Sequence, residues 1–372
     1  MKYIKGLDTV RAFAVCLVII WHWYPQYPLY TFAGFIQHLF IPTGEFAVNL
    51  FFVLSGYLIS GILLKAKDSS NNNLLIIKKF IIRRSLRIFP IYYLVVGLMV
   101  LDNFPFQSGF LPYILTYTVN FLVINEGAWN NFSHTWSLSV EEQFYLLWPW
   151  LILYIRRSYQ KYLFPFFIIF AILSLTFCIG VMHLKLAGVF PFCCFDAFGI
   201  GGLYAYCQMD ENRYLQFKKM IKIVVPVAVC IYFIWKLCPY FGLFPKLSFY
   251  ERTIDSVISI WLIHLVITNK SEWVKKNILE NRLLNTIGKI SYGLYLFHYP
   301  YPYFFYQFTG FIGKEFQSTR IIFNNGFIFQ FLMVITLFIL AFLSFHLFEK
   351  RIVNLKHKFS YLDSKELNKM NL

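Results

Sequence analysis

GLDTVRAFAVCLVIIWHW, residues 6–23, places two ionisable side chains, Arg11 and His22, inside one apolar stretch. At about 100° per residue, eleven positions make three turns plus roughly 20°, so both leave one helix face about 16 Å apart along the axis. An ionisable residue within a membrane span is costly unless it faces protein or a water-filled cavity, so two on one face mark a candidate site. The plainer reading makes Arg11 a snorkelling residue at the inner boundary and His22 an interfacial ring beside Trp21 and Trp23. Asp8, three residues before Arg11, can pair with it and hold the guanidinium in place. With Asp8 at the inner boundary, His22 lies about 21 Å further on, in the outer half of the bilayer. There a neutral imidazole can serve as a general base toward a hydroxyl.

Composition agrees with a membrane setting. The chain has 372 residues, 58% hydrophobic and only 14% charged, where a soluble domain averages about 25% charged. The mean hydropathy is +0.57. Net charge of +16 raises a nucleic-acid partner as a possibility, but the charges are placed for membrane topology instead. The seven cysteines lie in apolar segments without metal-ligand spacing, so neither a disulfide framework nor a metal site is expected. The first apolar stretch carries Arg11 and no small-residue cleavage site follows it, so it reads as a retained helix rather than a signal peptide.

Eleven apolar segments of roughly spanning length follow, at about 8–24, 45–64, 88–102, 109–124, 141–155, 162–182, 189–208, 220–239, 251–268, 287–308 and 327–348. Most Lys and Arg cluster in the connections 1–7, 65–87, 156–161, 211–222, 269–289 and 349–372; others include Lys246 and Arg320. Placing all six connections on the cytoplasmic side requires an even number of crossings between 65–87 and 156–161, yet three segments intervene. The short 109–124, with Pro112, Thr116, Thr118 and Asn120, is the one expected to be re-entrant or buried. The fold class is therefore an all-α polytopic bundle of about ten spans plus one non-crossing segment, with both termini cytoplasmic. Residues 1–350 form the membrane domain and 351–372 a short basic tail. A loop is expected at Ser69-Ser70-Asn71-Asn72-Asn73.

Three further constellations carry candidate chemistry. KKFIIRRSLRIFPIYY, residues 78–93, sets Arg84 and Arg87 one turn apart beside Arg83. It reads as a basic collar for anionic lipid or as a clamp whose planar forks suit phosphate. HTWSLSVEEQFYLLWP, residues 134–149, puts Ser137, Glu141 and Tyr145 on one face; Glu141 and Glu142 also fit plain dipole compensation with Ser137 or Ser139 as cap. GKISYGLYLFHYP, residues 288–300, sets His298 in the outer half of its span, where a structural role is the plainer one. Asp196 in FDAFGIGGLYAY is another intramembrane acid, beside glycines that permit close helix approach.

Taken together these segments resemble the acyltransferase-3 family of integral membrane acyltransferases. Besides the opening stretch, FFVLSGYLIS (51–60), RRSLRIFPIYY (83–93), HTWSLSVEEQFYLLWP (134–149), FDAFGIGGLYA (195–205), ISYGLYLFHYP (290–300) and FEKRI (348–352) are similar to family motifs in the same order. Two positions depart from the usual pattern. Thr9 and Val10 replace Gly-Leu, which affects packing only, and Arg351 stands where Pro is common.

The resemblance implies transfer of an acyl group, usually acetyl, from cytoplasmic acyl-coenzyme A to a hydroxyl of a cell-envelope saccharide. It implies His22 as the catalytic residue with Arg11 as companion, Glu141 on the first Glu of its motif, and Arg84 and Arg87 for the donor. Asp8, Ser137, Asp196 and His298 complete the candidate binding set. No metal, permanently bound cofactor or nucleic-acid partner is implied. Some relatives carry an extracytoplasmic esterase-like domain; none is seen in these residues, so transfer is expected to be direct or through a separate extracytoplasmic or glycan-assembly partner. The rival functions are a transporter or flippase of a lipid-linked glycan, and an acyltransferase for a small acceptor. A transporter is expected to show inverted halves, whereas here the charged motifs crowd the first 150 residues.

Overall fold

A computed structural model describes residues 3–69, 72–107, 109–243, 250–315 and 326–359. Ser70 and Asn71 of the expected loop, Lys246, Arg320 and the tail from residue 360 lie outside the described residues. Every regular element among the described residues is helical. In chain order the principal helices are α1 Gly6–Trp23, α2 Phe32–Phe40, α3 Gly44–Ser69, α4 Asn73–Leu101, α5 Phe110–Leu115, α6 Val119–Glu126 and α7 Trp136–Tyr154. They continue as α8 Gln160–Gly180, α9 Phe195–Cys207, α10 Glu211–Leu237, α11 Glu251–Thr268, α12 Arg282–Lys289, α13 Ser291–Phe297, α14 Tyr301–Glu315, α15 Gly326–Ser344 and α16 Lys350–Asn354.

Six helical units among the described residues are long and apolar enough to cross a bilayer: Gly6–Trp23, Phe32–Ser69, Asn73–Leu101, Arg157–Gly180, Glu211–Phe241 and Ile328–Asn354. α7 and α11 also approach spanning length, but carry the acids and polar residues that make up much of the buried chemistry. The 109–124 segment is not one helix. It breaks into α5 and α6, with Tyr117 at a φ of 54° between them.

Local signals explain several boundaries. α1 stops where Tyr24 turns extended ahead of Pro25, because proline disfavours a helical residue before it. The Asn72 side chain accepts from Leu75 N–H at 2.9 Å and so starts α4, making residues 73–87 helical. The expected connection at 65–87 thus shrinks to a few residues, and its arginines ride on a helix. The 287–308 segment likewise divides into α12, α13 and α14, with the last break at His298–Pro300. The basic tail does not begin as free chain: α16 and a 3₁₀ turn Leu355–Phe359 follow α15, and Arg83 Nη1 donates to the carbonyls of Lys356 and Phe359 at 3.3 and 3.2 Å.

Small residues set the helix spacing. A Cβ on Gly201 of α9 would lie 2.1 Å from the Val53 carbonyl oxygen of α3, so only hydrogen fits at that crossing. Phe144 of α7 then stacks on Phe198 at 3.9 Å between ring centroids, and Trp148 Nε1 donates to Ser60 Oγ at 2.8 Å. Close to the site, a Cβ on Gly288 of α12 would lie 1.9 Å from the Asp8 carbonyl oxygen, which fixes the start of α1 against α12.

Candidate active site

Arg11 Nη1 donates to Asp8 Oδ1 at 2.6 Å, as their spacing predicts, and the Tyr3 hydroxyl donates to the other Asp8 oxygen. The anchored guanidinium faces a cavity of about 440 Å³ lined by Arg11, Arg83, Arg84, Arg87, Lys289 and Lys356, against two carboxylates, Asp8 and Glu349. Burial first, and then the Arg87, Arg83 and Arg84 guanidiniums, pull the Lys356 ammonium below the usual lysine range. Crowded cations of this kind attract a polyanion. Part of the wall is a π-helical turn, Phe345–Glu349, which swings the buried Glu349 into the cavity. Its Oε1 accepts from Ser344 Oγ at 3.0 Å.

A narrower cavity of about 90 Å³ shares Arg11, Arg84, Arg87 and Tyr292 with the first. Its wall is mostly apolar, from Phe51, Phe52, Leu54 and Leu58 to Leu138, and it reaches Ser137, Glu141, Tyr145 and Tyr295. The expected face of α7 is therefore real. Tyr145 OH donates to Glu141 Oε1, and Ser55 Oγ donates to the same oxygen at 2.5 Å. Arg84 lies 5.4 Å from the Tyr145 ring centroid, so this arginine and Glu141 are linked through one aromatic ring.

The capping reading of this segment is corrected. Ser137 and Ser139 sit inside α7 and back-bond to the carbonyls of His134 and Thr135 at 3.3 and 3.1 Å, and no acid lies in the first turn. The helix begins earlier than the carboxylates imply, through a short 3₁₀ turn at Ser133–Thr135.

Beyond the narrow cavity stand three histidines. The Ser137 and Tyr295 hydroxyls are 2.5 Å apart. The Tyr295 ring lies 5.4 Å from His298, and His298 lies 5.0 Å from His22 and 5.0 Å from His134. His22 is exposed, whereas His298 and His134 are buried. His22 Nδ1 donates to the Val18 carbonyl at 2.8 Å and His298 Nδ1 to the Tyr295 carbonyl at 2.6 Å. With those protons placed, each neutral ring presents an unprotonated Nε2. Among the described residues no three His, Cys, Asp or Glu side chains are arranged to hold a metal ion.

The structure thus joins Asp8, Arg11, Arg84 and Arg87 at one cavity, Ser137 and Glu141 at the next, and His22 with His298 beyond. It does not join Arg11 to His22, which remain at opposite ends of α1. Asp196 stands apart from both cavities, 3.6 Å from Arg252 Nε and accepting from Thr253 Oγ1 at 2.7 Å. Sequence reasoning missed His134, Tyr295, Glu349 and Lys356. The first three lie in stretches already singled out for other residues, so the signal was present but unassigned.

The model of the family described as an acyltransferase domain matches residues 4–346. A Staphylococcus aureus (strain COL) protein named "Putative O-acetyltransferase" is 27% identical over 321 residues, covering 80% of this chain and 50% of that protein. A Bacillus subtilis protein named "Putative peptidoglycan O-acetyltransferase" is 29% identical over 334 residues, covering 80% and 48%. The "Peptidoglycan O-acetyltransferase" of Listeria monocytogenes is 32% identical over 167 residues, covering 41% and 24%. The chain spans about half the length, or less, of these curated relatives. No solved structure matches it.

Proposed function

The chain belongs to the acyltransferase-3 family of membrane acyltransferases, and from that premise we propose that it moves an acetyl or short acyl group from cytoplasmic acyl-coenzyme A to a hydroxyl of a cell-envelope saccharide. The observation that carries this reading is the wall the two cavities share, made of Arg11, Arg84, Arg87 and Tyr292. The wide one offers six cations to the diphosphate and ribose phosphate of coenzyme A, and the narrow one offers an apolar wall to its pantetheine arm. We assign donor binding to Arg84 and Arg87 and orientation of Arg11 to Asp8. The thioester then reaches Ser137 and Tyr295, next to the histidines.

Two chemical routes follow from the same geometry. His22 Nε2 takes the proton of the acceptor hydroxyl as it attacks the thioester carbon, or Nε2 carries the acyl group itself for one step. Arg11 at the donor phosphates and Glu141 beside Arg84 hold the donor end in register. The exposed His22 is where a large acceptor meets a donor that entered from the other side. On this reading both termini are cytoplasmic, the chain crosses the bilayer about ten times, and the residues beyond 350 are a basic tail. The names of the relatives make peptidoglycan the first acceptor to try.

The test uses membranes holding the chain, incubated with acetyl-labelled acetyl-coenzyme A and purified cell-wall glycan. Alkali-labile label on the glycan, absent from membranes without the chain, is the expected result. Label confined to free acetate, or no turnover at all, contradicts the reading.

A further inference from the structure

Away from the site just described, α10 carries a second pattern. Lys218, Ile221, Lys222, Val225 and Val229 recur at steps of three and four, so they share one helix face, with the two lysines nearest the helix start. This face stands against Trp261, His264 and Leu265 of α11, and an open groove of about 400 Å³ runs between the two helices. From Lys218 to Val229 is eleven residues, about 16 Å along the axis. The groove is therefore cationic at one end and apolar over the next two turns. No carboxylate lines it, whereas the cationic cavity beside α1 contains Asp8 and Glu349.

α10 and α11 run in opposite directions, since Lys236 near the end of α10 pairs with Glu251 at the start of α11 at 3.1 Å. The lysine end of the groove thus lies toward the end of α11. The chain beyond α11 returns to the start of α1, where Thr9 Oγ1 donates to the Leu279 carbonyl at 3.2 Å. Both lysines therefore stand at the same end of the bundle as the cationic cavity.

We propose that this groove binds one anionic phospholipid, with the phosphate at Lys218 and Lys222 and an acyl chain along Ile221, Val225 and Val229. Charge complementarity selects this occupant. Two lysines without an acid beside them favour an anion, and the apolar wall that continues from them favours an anion that carries hydrocarbon. Lys218 Nζ lies 4.6 Å from the Tyr214 ring centroid, which holds the ammonium near the mouth. Between the charged and apolar ends, Tyr204 OH and His264 Nδ1 are 2.9 Å apart. A fully buried phenol thus anchors the imidazole and leaves Nε2 as the ring nitrogen for a ligand. Trp261, one turn further in, adds an indole donor at the depth of a lipid's ester groups. The site is tested by binding alone, so its failure leaves the acyl-transfer reading untouched.

The whole chain, purified in detergent and stripped of lipid, is mixed with phosphatidylglycerol or with phosphatidylcholine of the same acyl chains. Lipids retained per chain are counted by native mass spectrometry, and glycerol 3-phosphate serves as a probe with the charge and no hydrocarbon. Lys218→Gln/Lys222→Gln is expected to retain one phosphatidylglycerol fewer than wild type, with its phosphatidylcholine count unchanged. Val229→Trp, which fills the apolar end and leaves the charge alone, loses the same single lipid. Lys219→Gln, an exposed neighbour on α10 that does not line the groove, loses none. An unchanged phosphatidylglycerol count in either groove variant overturns the site. So does an equal loss of phosphatidylcholine, or the same loss in Lys219→Gln, which would be the mark of general surface charge. Glycerol 3-phosphate that binds wild type and is lost with the two lysines makes the groove a free-anion site and overturns the lipid.

Discussion

Arg84 and Arg87 answer to the simplest test. Charge-assisted hydrogen bonds contribute about 1.5–3 kcal/mol each, which at about 1.4 kcal/mol per decade is roughly tenfold to a hundredfold in affinity. Replacing either arginine by alanine is predicted to raise KM for acetyl-coenzyme A by that factor with a smaller change in kcat. Equal KM values would place the donor elsewhere. Lys356 adds a pH dependence. Its ammonium is depressed in the free protein, and a bound polyanion raises it. Donor affinity is therefore full below the free-state pKa and is lost as pH rises through the bound-state pKa. Binding titrations in wild type and Lys356→Met check this: the alkaline loss shrinks in the variant. At this scale Asp8 and Arg11 were legible, since three residues on one helix determine their meeting. The histidine cluster was not, because positions 22, 134 and 298 meet only through the packing of three separate segments.

Helices set these side chains, and their spacing is testable. Gly201→Leu inserts a side chain where even a Cβ comes within 2.1 Å of the Val53 carbonyl oxygen. Overpacking of a fitted contact costs about 1–3 kcal/mol, and more where backbone must move. A lower unfolding temperature in detergent is expected, whereas Gly97→Leu, at a position with open space around it, leaves the temperature unchanged. If the two behave alike, the α3–α9 crossing is looser than described. Periodicity showed where the apolar helices run, and the glycines of FDAFGIGGLYAY pointed to a close crossing there. It misplaced the ends of α4 and α7, because a run of arginines looks like a loop and adjacent carboxylates look like a helix start. In both cases the chain spends its charge on a buried cavity rather than on solvent.

Across the whole molecule, the proposed passage runs from the cationic cavity, past the narrow apolar one, to the histidines. Cysteines placed at Tyr30 and Trp273, both strongly exposed, in a background lacking Cys230 and Cys238, are predicted to react with an impermeant maleimide from opposite faces of the membrane. Reaction of both from one face contradicts the assigned orientation. Composition and charge bias made the membrane bundle legible, but not the wall shared by two cavities, which depends on α1, α4 and α13 meeting. The central claim is that donor binding and acyl transfer occupy different ends of that passage, and the His22→Ala variant separates them in one measurement. Acetyl-coenzyme A affinity and transfer rate are read on the same membranes. The account predicts affinity within about twofold of wild type and a transfer rate lower by about 10²–10⁴-fold. A variant that transfers at the wild-type rate would contradict it.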